Sequence, residues 1–404
     1  MGNRKNKILK FTLVTTSVII ALVIICTIAL MAIWHNEIAT LISFEHIKER
    51  NDAIYDGSVY EMHVKGGYYF DEFLAQGGAK NDGDLSNFIT SKMTKGLFDM
   101  NISQSDIACS AFTAVTTEGD RLFCRNYDFN KSNTCIVYTN PGGGRYASVS
   151  TVDLQFVGID ADSDVETFSE KICCLAAPYV PLDGVNEKGV SCGIFMSFQG
   201  KETTPTNQNT AKPDLTSTTL LRMILDYASN VDEAVKIASK YDLHDSANTS
   251  YHYMVADSTG KSAVLEWISG TDETDNDGSK RELMVIYNDS DDYIGTIEGE
   301  SDYQWISNFI NTPGYYNNDN DKKGFDRYMR IYADLSATNA VLKDEAHAMR
   351  ILANVGRRSW PENNEICTIH SVVYNMTDKT ALWVPNEHYY DSNSNYVLTC
   401  PKTK

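Results

Sequence analysis

The longest apolar stretch of the chain lies close to its N-terminus. Residues 11–34 contain no charged side chain over 24 positions. At about 1.5 Å per residue, a helix of this length crosses the roughly 30 Å hydrocarbon core of a membrane. A cleaved signal peptide is the alternative, but its apolar part is usually shorter and is followed by a small-residue cleavage site, which this sequence does not have. The pattern therefore predicts a transmembrane helix over 11–34.

The charges on either side of this helix predict its orientation. Arg4, Lys5, Lys7 and Lys10 precede the apolar stretch, and the next charged residue is Glu37. Positively charged flanks stay on the cytoplasmic side of a membrane. We therefore predict a cytoplasmic basic tail over residues 1–10, a single-pass anchor in the cell membrane, and an extracytoplasmic remainder.

The spacing of apolar residues changes at residue 109. Over 35–108 they recur three and four positions apart, which is typical of amphipathic helices, and this segment is interpreted as a helical stalk or pro-segment. From 109 to 129 apolar and polar residues alternate around a turn at Gly119, which predicts a β-hairpin. Strands joined by hairpins form antiparallel sheets.

The rest of the chain continues this pattern of strands and helices. Further turn signals lie at 140–146, 256–262 and 374–380, and helical spacing occurs over 215–229 and 231–241. The helices need a sheet against which to bury their apolar faces. The predicted fold class is therefore α+β, with one domain over 109–404 in which helices lie outside antiparallel sheets.

Composition excludes two classes of ligand. The chain has 35 basic and 54 acidic residues, a net charge of -19, which repels phosphate backbones, so no nucleic-acid partner is expected. Its nine cysteines do not have zinc-site spacing. The acidic loop around Gly278 departs from a calcium-loop pattern at Glu273 and at Met284. No metal is predicted.

The first hairpin brings chemically reactive residues together. A turn centred between residues 118 and 119 sets Cys109 opposite Asp128, with Arg125 nearby. A guanidinium favours the thiolate and lowers the pKa of a cysteine. Strict alternation places Arg125 and Asp128 on opposite faces, so this arrangement requires a bulge or a strand end near Asn126.

A cysteine nucleophile also needs a base, and the spacing of the eight histidines nominates none of them. If the bond between Ala108 and Cys109 is cut by autoproteolysis, the new α-amine lies within reach of its own thiol and can accept its proton. Asp128 would then orient this amine. On its own, a lone cysteine such as Cys109 is more often a small buried residue.

The motifs resemble those of a known family. Cys109-Ser110 followed by GDRLFCRNYDF, then PLDGVNEKG at 181–189 and HSVVYNMTDKTALWVPNE, is similar to the choloylglycine hydrolase and linear amide hydrolase family over nearly all of 109–404. Relatives include bile salt hydrolases, penicillin V acylases and acid ceramidase. The resemblance implies the N-terminal nucleophile hydrolase fold, an αββα sandwich with two antiparallel sheets, here preceded by the transmembrane helix and the pro-segment.

The resemblance also implies roles for five residues. Cys109 would be the nucleophile, Arg125 and Asp128 would support it, Asn288 would be an oxyanion donor, and Arg327 would place a further charge near the thiol. For two of these residues, an ordinary structural role is the alternative. Asn288 is also a suitable turn residue at a strand end, and Arg327 is also a suitable solvated residue at a helix start.

Met196 is the point at which this sequence departs from the bile salt hydrolases, which place a polar oxyanion residue there. A thioether donates no hydrogen bond, so Met196 offers only its backbone N–H. The predicted function is hydrolysis of a linear N-acyl amide through a thioester on Cys109, without a cofactor. The alternatives are an acyltransferase that uses the same thioester, and an inactive cell-surface binding protein. A pro-segment that is retained after cleavage would be a further partner.

Overall fold

The computed structural model describes residues 2–100, 102, 108–199, 202–289, 303–318, 321–358 and 366–403. The α-helices in these ranges are α1 (Gly2–Ile33), α2 (His35–Ile42), α3 (Phe70–Ala75), α4 (Asp82–Met93), α5 (Phe168–Cys173), α6 (Ser217–Tyr227), α7 (Val231–Lys240), α8 (Phe325–Ser336) and α9 (Glu345–Ala353).

The strands fall into a larger, a smaller and a two-stranded sheet. Those of the larger sheet are β1 (Glu45–Lys48), β2 (Val59–Val64), β5 (Thr134–Thr139), β6 (Ser148–Asp153), β7 (Asp183–Asn186), β8 (Ser191–Met196), β11 (Tyr251–Ala256), β12 (Ser262–Ile268) and β13 (Glu282–Tyr287). Those of the smaller sheet are β3 (Ala108–Thr116), β4 (Arg121–Phe129), β14 (Trp305–Ile306), β15 (Val341–Leu342), β16 (Cys367–Asn375), β17 (Thr380–Pro385) and β18 (Tyr396–Thr399). The third sheet pairs β9 (Asp214–Thr216) with β10 (Asp242–His244).

Helix α1 contains the predicted apolar stretch. Within the described residues, Lys7–Ile33 is the one helical segment long and apolar enough to cross a membrane, and its side chains are exposed to the surroundings of the protein. A membrane span and a signal sequence share these properties. The helix is therefore as predicted, whereas its role as an anchor stays a prediction.

The segment over 35–108 is not wholly helical. It contains α2, α3 and α4, but β1 and β2 join the larger sheet, where β2 pairs in parallel with β5. Four of the six residues of β2 are buried, whereas Glu61 is partly exposed and His63 is exposed. The strand therefore has one buried face and one face that is partly exposed to solvent. The prediction of a helical stalk missed β1 and β2 because strands of four and six residues show a two-residue alternation over few positions.

The two larger sheets pack face to face, with α6 and α7 against the larger sheet and α8 and α9 against the smaller one. One apolar core fills the space between the sheets, and a second lies between the smaller sheet and its helices. The predicted α+β arrangement is confirmed, as are the helices predicted over 215–229 and 231–241. Each of these two sheets is antiparallel apart from one parallel pair, β2 with β5 in the larger and β15 with β3 in the smaller, whereas the two-stranded sheet is parallel.

The register of the first hairpin differs from the predicted one by one residue. Cys109 pairs with Tyr127, and Ala108 pairs with Asp128, so the predicted pairing of Cys109 with Asp128 is wrong. The turn is centred on residue 118 because its loop has an odd number of residues. Gly119 has φ +95°, the left-handed conformation that such three-residue loops require.

A buried cluster of charged side chains binds the segment before residue 109 to the rest of the domain. The hydroxyl of Tyr68 donates to the carboxylate of Asp226 at 2.5 Å, and that carboxylate forms ion pairs with Arg145 at 3.2 Å and with Arg222 at 3.0 Å. All four side chains are buried. Because Tyr68 precedes β3 in the chain, this cluster joins the N-terminal segment to the sandwich.

We expect Asp226→Ala to lower the free energy of unfolding by about 3–5 kcal/mol, because it leaves the buried guanidinium of Arg222 without its anion and that of Arg145 with only the exposed Asp71, at 3.6 Å. The matched control is Asp232→Ala, which removes the exposed partner of Lys261 and should cost about 0–1 kcal/mol. Denaturant unfolding of the two variants beside the unmodified protein measures both. Equal losses would contradict the assigned role of the buried cluster.

Candidate active site

Cys109 is the second residue of β3 and is fully buried between the two large sheets. Because Cys109 is opposed to Tyr127 and Ala111 is opposed to Arg125, the side chains of Cys109 and Arg125 lie on the same face. Nη2 of Arg125 donates to Sγ of Cys109 at 3.3 Å. The predicted proximity of Arg125 to the thiol therefore agrees with the geometry.

Arg125 is held in place by the opposite sheet. Nη2 also donates to the carbonyl oxygen of Ile194 at 2.7 Å, and Nη1 donates to the carboxylate of Asp183. Asp183 further accepts hydrogen bonds from the hydroxyl of Tyr374 at 2.5 Å and from Nε2 of His370 at 2.8 Å. Burial opposes ionisation of Asp183, but His370 and Arg125 hold the pKa of this carboxyl below its ordinary value.

The backbone of Cys109 is bound by two further residues. Its nitrogen donates to Oδ1 of Asn308 at 3.2 Å, and its carbonyl oxygen accepts from Nη1 of Arg327 at 2.7 Å. Nη2 of Arg327 donates to the same Oδ1 at 2.6 Å, and Nδ2 of Asn308 donates to the carbonyl oxygen of Met196 at 2.8 Å. Arg327 is thus buried beside Cys109 rather than solvated at a helix start.

Asp128 lies on the face of β4 opposite to that of Arg125. Its Oδ2 accepts from Nη1 of Arg327 at 3.2 Å, and its Oδ1 accepts from the hydroxyl of Thr368 at 2.7 Å. The expected bulge is not at Asn126 but in the neighbouring strand β16, between Thr368 and His370. Arg125 and Asp128 keep opposite faces of a regular strand, and Arg327 provides the link from Asp128 to the backbone of Cys109.

Burial has the largest effect on the pKa of the Cys109 thiol. Burial raises the pKa of Cys109 to about 11, although Arg125 acts in the opposite direction. A thiol with this pKa is protonated at neutral pH, and the thiolate is the nucleophilic form. In the uncut chain, the guanidinium of Arg125 alone therefore does not supply a thiolate.

Asn288 has other contacts than those expected of an oxyanion donor. It follows β13, where Oδ1 accepts from the backbone nitrogen of Ser262 at 3.0 Å and Nδ2 donates to the carbonyl oxygen of Gly260 at 3.0 Å. These bonds close the turn before β12. In the described part of the chain, the amide that contacts Cys109 belongs to Asn308.

Three residues of the site were not predicted. Asp183 lies inside the quoted motif at 181–189, but its role depends on contact with a strand 58 positions away. Asn308 follows the short strand β14 without any periodic pattern, and His370 faces Asp183 instead of the thiol. An acidic residue directly after the largely apolar stretch at 172–182 was the available signal for Asp183, which begins β7, and the sequence contains no comparable signal for Asn308.

The pKa of Asp128 generates a prediction about stability. Burial raises this pKa from 3.8 to about 6, against the opposing effect of Arg327, so the folded protein binds the proton more tightly than the unfolded chain does. The stabilising contribution is present below about pH 4 and is lost as the pH rises to about 6. We therefore expect the unfolding free energy of the unmodified protein, relative to Asp128→Asn, to fall across this window.

Urea unfolding of both proteins at a series of pH values measures this difference, and the variant is the control because position 128 no longer titrates. A difference that rises from pH 4 to pH 6, or that does not change, would contradict the raised pKa of Asp128.

The sequence of this chain matches a known family and part of a known enzyme. The family described as acyl-coenzyme A:6-aminopenicillanic acid acyl-transferase matches residues 115–387. A penicillin V acylase of Pectobacterium atrosepticum is 31% identical over 96 residues, which cover 22% of this chain and 25% of that protein. The chain thus matches about a quarter of the length of this curated relative.

Solved structures with similar folds include two enzymes. A mutant of the conjugated bile acid hydrolase of Clostridium perfringens has 19% identity and a TM-score of 0.46, covering 72% of this chain and 92% of that chain. The penicillin V acylase of Agrobacterium tumefaciens has 16% identity and a TM-score of 0.45, covering 69% and 83%. Because the family match spans more than half of the sequence, this chain belongs to the acyl-coenzyme A:6-aminopenicillanic acid acyl-transferase family, which confirms the resemblance to penicillin acylases and bile salt hydrolases.

Proposed function

We propose that this chain is an amidase that hydrolyses a linear N-acyl amide through a thioester on Cys109. The observation that carries the proposal is the hydrogen bond from the guanidinium of Arg125 to Sγ of Cys109, at the start of a strand whose backbone is held on both sides. The family supports amide hydrolysis or acyl transfer. Relatives named for penicillin V and for conjugated bile acids suggest the substrate class.

The proposed reaction has two steps. Sγ attacks the acyl carbonyl, the carbon–nitrogen bond breaks, and the amine leaves with the proton that the thiol gave up, so that a thioester remains. Water then attacks the thioester, which releases a carboxylic acid and restores the thiol. The chemistry needs no cofactor, because the nucleophile and the proton carrier both belong to Cys109.

The proton carrier is proposed to be the α-amine that cleavage before Cys109 creates. In the uncut chain this nitrogen is an amide without useful basicity, whereas a free α-amine has a pKa of about 7.7–8.0. The contact of this nitrogen with Oδ1 of Asn308 supports the proposal, because the same acceptor would orient the amine. Asp128 acts on it through Arg327.

We further propose roles for the amides and the guanidinium groups. Arg125 stabilises the thiolate, and Arg327 fixes the carbonyl of Cys109 and the amide of Asn308. Of the two asparagines, Asn308 is the better candidate for a role near the reacting carbon, because its amide contacts the backbone of Cys109, whereas the amide of Asn288 closes the turn at Gly260. The backbone of Met196 adjoins Asn308.

We propose that α1 is a membrane anchor with the basic N-terminus in the cytoplasm and residues 36–404 outside the cell. The length and apolarity of Lys7–Ile33 support this proposal. Protease added to intact cells should then remove the extracytoplasmic part. Full protection until the membrane is opened would mean the opposite orientation.

Acyl transfer is the second candidate, and the name of the family favours it. Both reactions share the thioester, and they differ only in whether water or an amine resolves it. Product analysis in the presence of free amino acids distinguishes them, since a transferase forms a new amide and a hydrolase forms only the acid.

We expect the purified full-length protein to release acid from one or more of acylated amino acids, conjugated bile acids, penicillin V and acyl homoserine lactones. Cys109→Ala should abolish this activity, because no other group forms the thioester. The matched control is Cys124→Ala, at another fully buried cysteine that faces the helices and not the larger sheet. Activity retained by Cys109→Ala, or lost equally in both variants, would count against the proposal.

We also expect the precursor to cut itself between Ala108 and Cys109. N-terminal sequencing and intact mass measurement should find a chain that begins at Cys109, whereas Cys109→Ala stays full length. The two pieces should remain together, because Tyr68 in the first piece is bound to Asp226 in the second. An active enzyme that is uncut at this bond would refute the α-amine as the base.

A further inference from the structure

An apolar groove lies where α1 meets the folded domain. The cavity has a volume of about 260 Å³. We call it the juxtamembrane groove and define it by Leu30, Trp34, Leu97, Phe98 and Phe168. It is separate from the candidate active site, because the residues that line it do not include Cys109, Arg125, Asp183, Asn308 or Arg327.

The rim of the groove exposes large apolar side chains. Leu97 is 68% exposed, Phe168 is 67% exposed and Phe98 is 40% exposed. The rings of Phe98 and Phe168 are in contact edge to face, with centroids 6.3 Å apart. Adjacent exposed apolar residues of this size mark an interaction surface rather than an ordinary solvated one.

The groove is fixed at the outer end of α1. Nε1 of Trp34 donates to the carbonyl oxygen of Met93 at 2.8 Å, which ties the end of α1 to the end of α4. The backbone nitrogen of Ile38 donates to the carbonyl oxygen of Trp34 at 2.8 Å, so α2 follows α1 with only one residue between them. Leu30, in the last turn of α1, itself lines the groove. The groove therefore cannot move far from the end of the helix.

We infer that the juxtamembrane groove binds the acyl chains of lipids in the outer leaflet and so docks the domain on the membrane surface. This inference rests on the proposed anchor. If α1 spans the bilayer, its last turn lies at the boundary between hydrocarbon and headgroups, where tryptophan is enriched. Leu30 and Trp34 then hold the groove at the depth where lipid chains end.

A second copy of the chain is the competing occupant, and the charge disfavours it. Each chain carries a net charge of -19, so two copies repel each other at close range. A lipid chain has no charge and, with α1 as the proposed anchor, would already surround the exposed side chains of α1. A soluble partner would have to displace lipid in order to reach the groove beside Leu30.

Photo-crosslinking in phosphatidylcholine vesicles tests the inference with the full-length protein. Benzoylphenylalanine replaces Leu97 or Phe168 in the groove, Leu22 in α1, or Tyr390, which is 91% exposed and belongs to the loop after β17. We expect several-fold more lipid adducts at positions 97 and 168 than at position 390, and adducts also at position 22. These substitutions are at exposed positions, so folding should be retained.

The other outcomes overturn the inference in distinguishable ways. Adducts at position 22 with no excess at 97 and 168 would leave the anchor in place and refute the docking. Absence of adducts at all three positions would refute both. A crosslinked dimer at 97 or 168 would identify a second copy as the occupant. Amidase activity on a water-soluble amide, measured in detergent, is independent of all three results, so failure of the proposed reaction is recognised separately.

Discussion

The ion pair between Arg125 and Asp183 is the interaction on which the arrangement of the sandwich depends. Arg125 belongs to β4 in the smaller sheet and Asp183 to β7 in the larger sheet, and both side chains are fully buried. A buried charge without its partner is strongly destabilising. The two sheets must therefore meet where this pair forms, and the second nitrogen of the same guanidinium is the one that contacts Cys109. The spacing of the sheets and the environment of the thiol thus have one common cause.

Asp183 also determines what the nearby histidine can do. His370 and Tyr374, two residues of β16, both bind its carboxylate, so three side chains from the smaller sheet converge on one acid of the larger sheet. Nε2 of His370 is occupied by this contact, and burial lowers the pKa of His370. We propose that the histidine helps to hold Arg125 in place and is not the general base, because its Nε2 binds Asp183 and not the thiol. This agrees with a mechanism in which the base is the α-amine of Cys109.

The sequence predicted the parts of this structure that depend on local spacing. It predicted α6, α7 and the first hairpin, because their apolar periodicity and turns are local. It misjudged the register of that hairpin because Gly119 allows a three-residue loop, and it missed β2 because an alternation over only six residues is a weak local signal. The contact from Asn308 to Cys109 joins residues 199 positions apart, and local patterns carry no information about such contacts.

The geometry around Cys109 suits a cleavage that requires no later rearrangement. β3 pairs with β4 on one side and with β14 and β15 on the other, so a chain that began at Cys109 would still be fixed along its length. Asn308 binds the nitrogen of Cys109 and Arg327 binds its carbonyl oxygen. An amine formed at this nitrogen would be oriented from the moment of cleavage. Because a free α-amine accepts a proton and an amide does not, the same event would supply the base that the buried thiol needs.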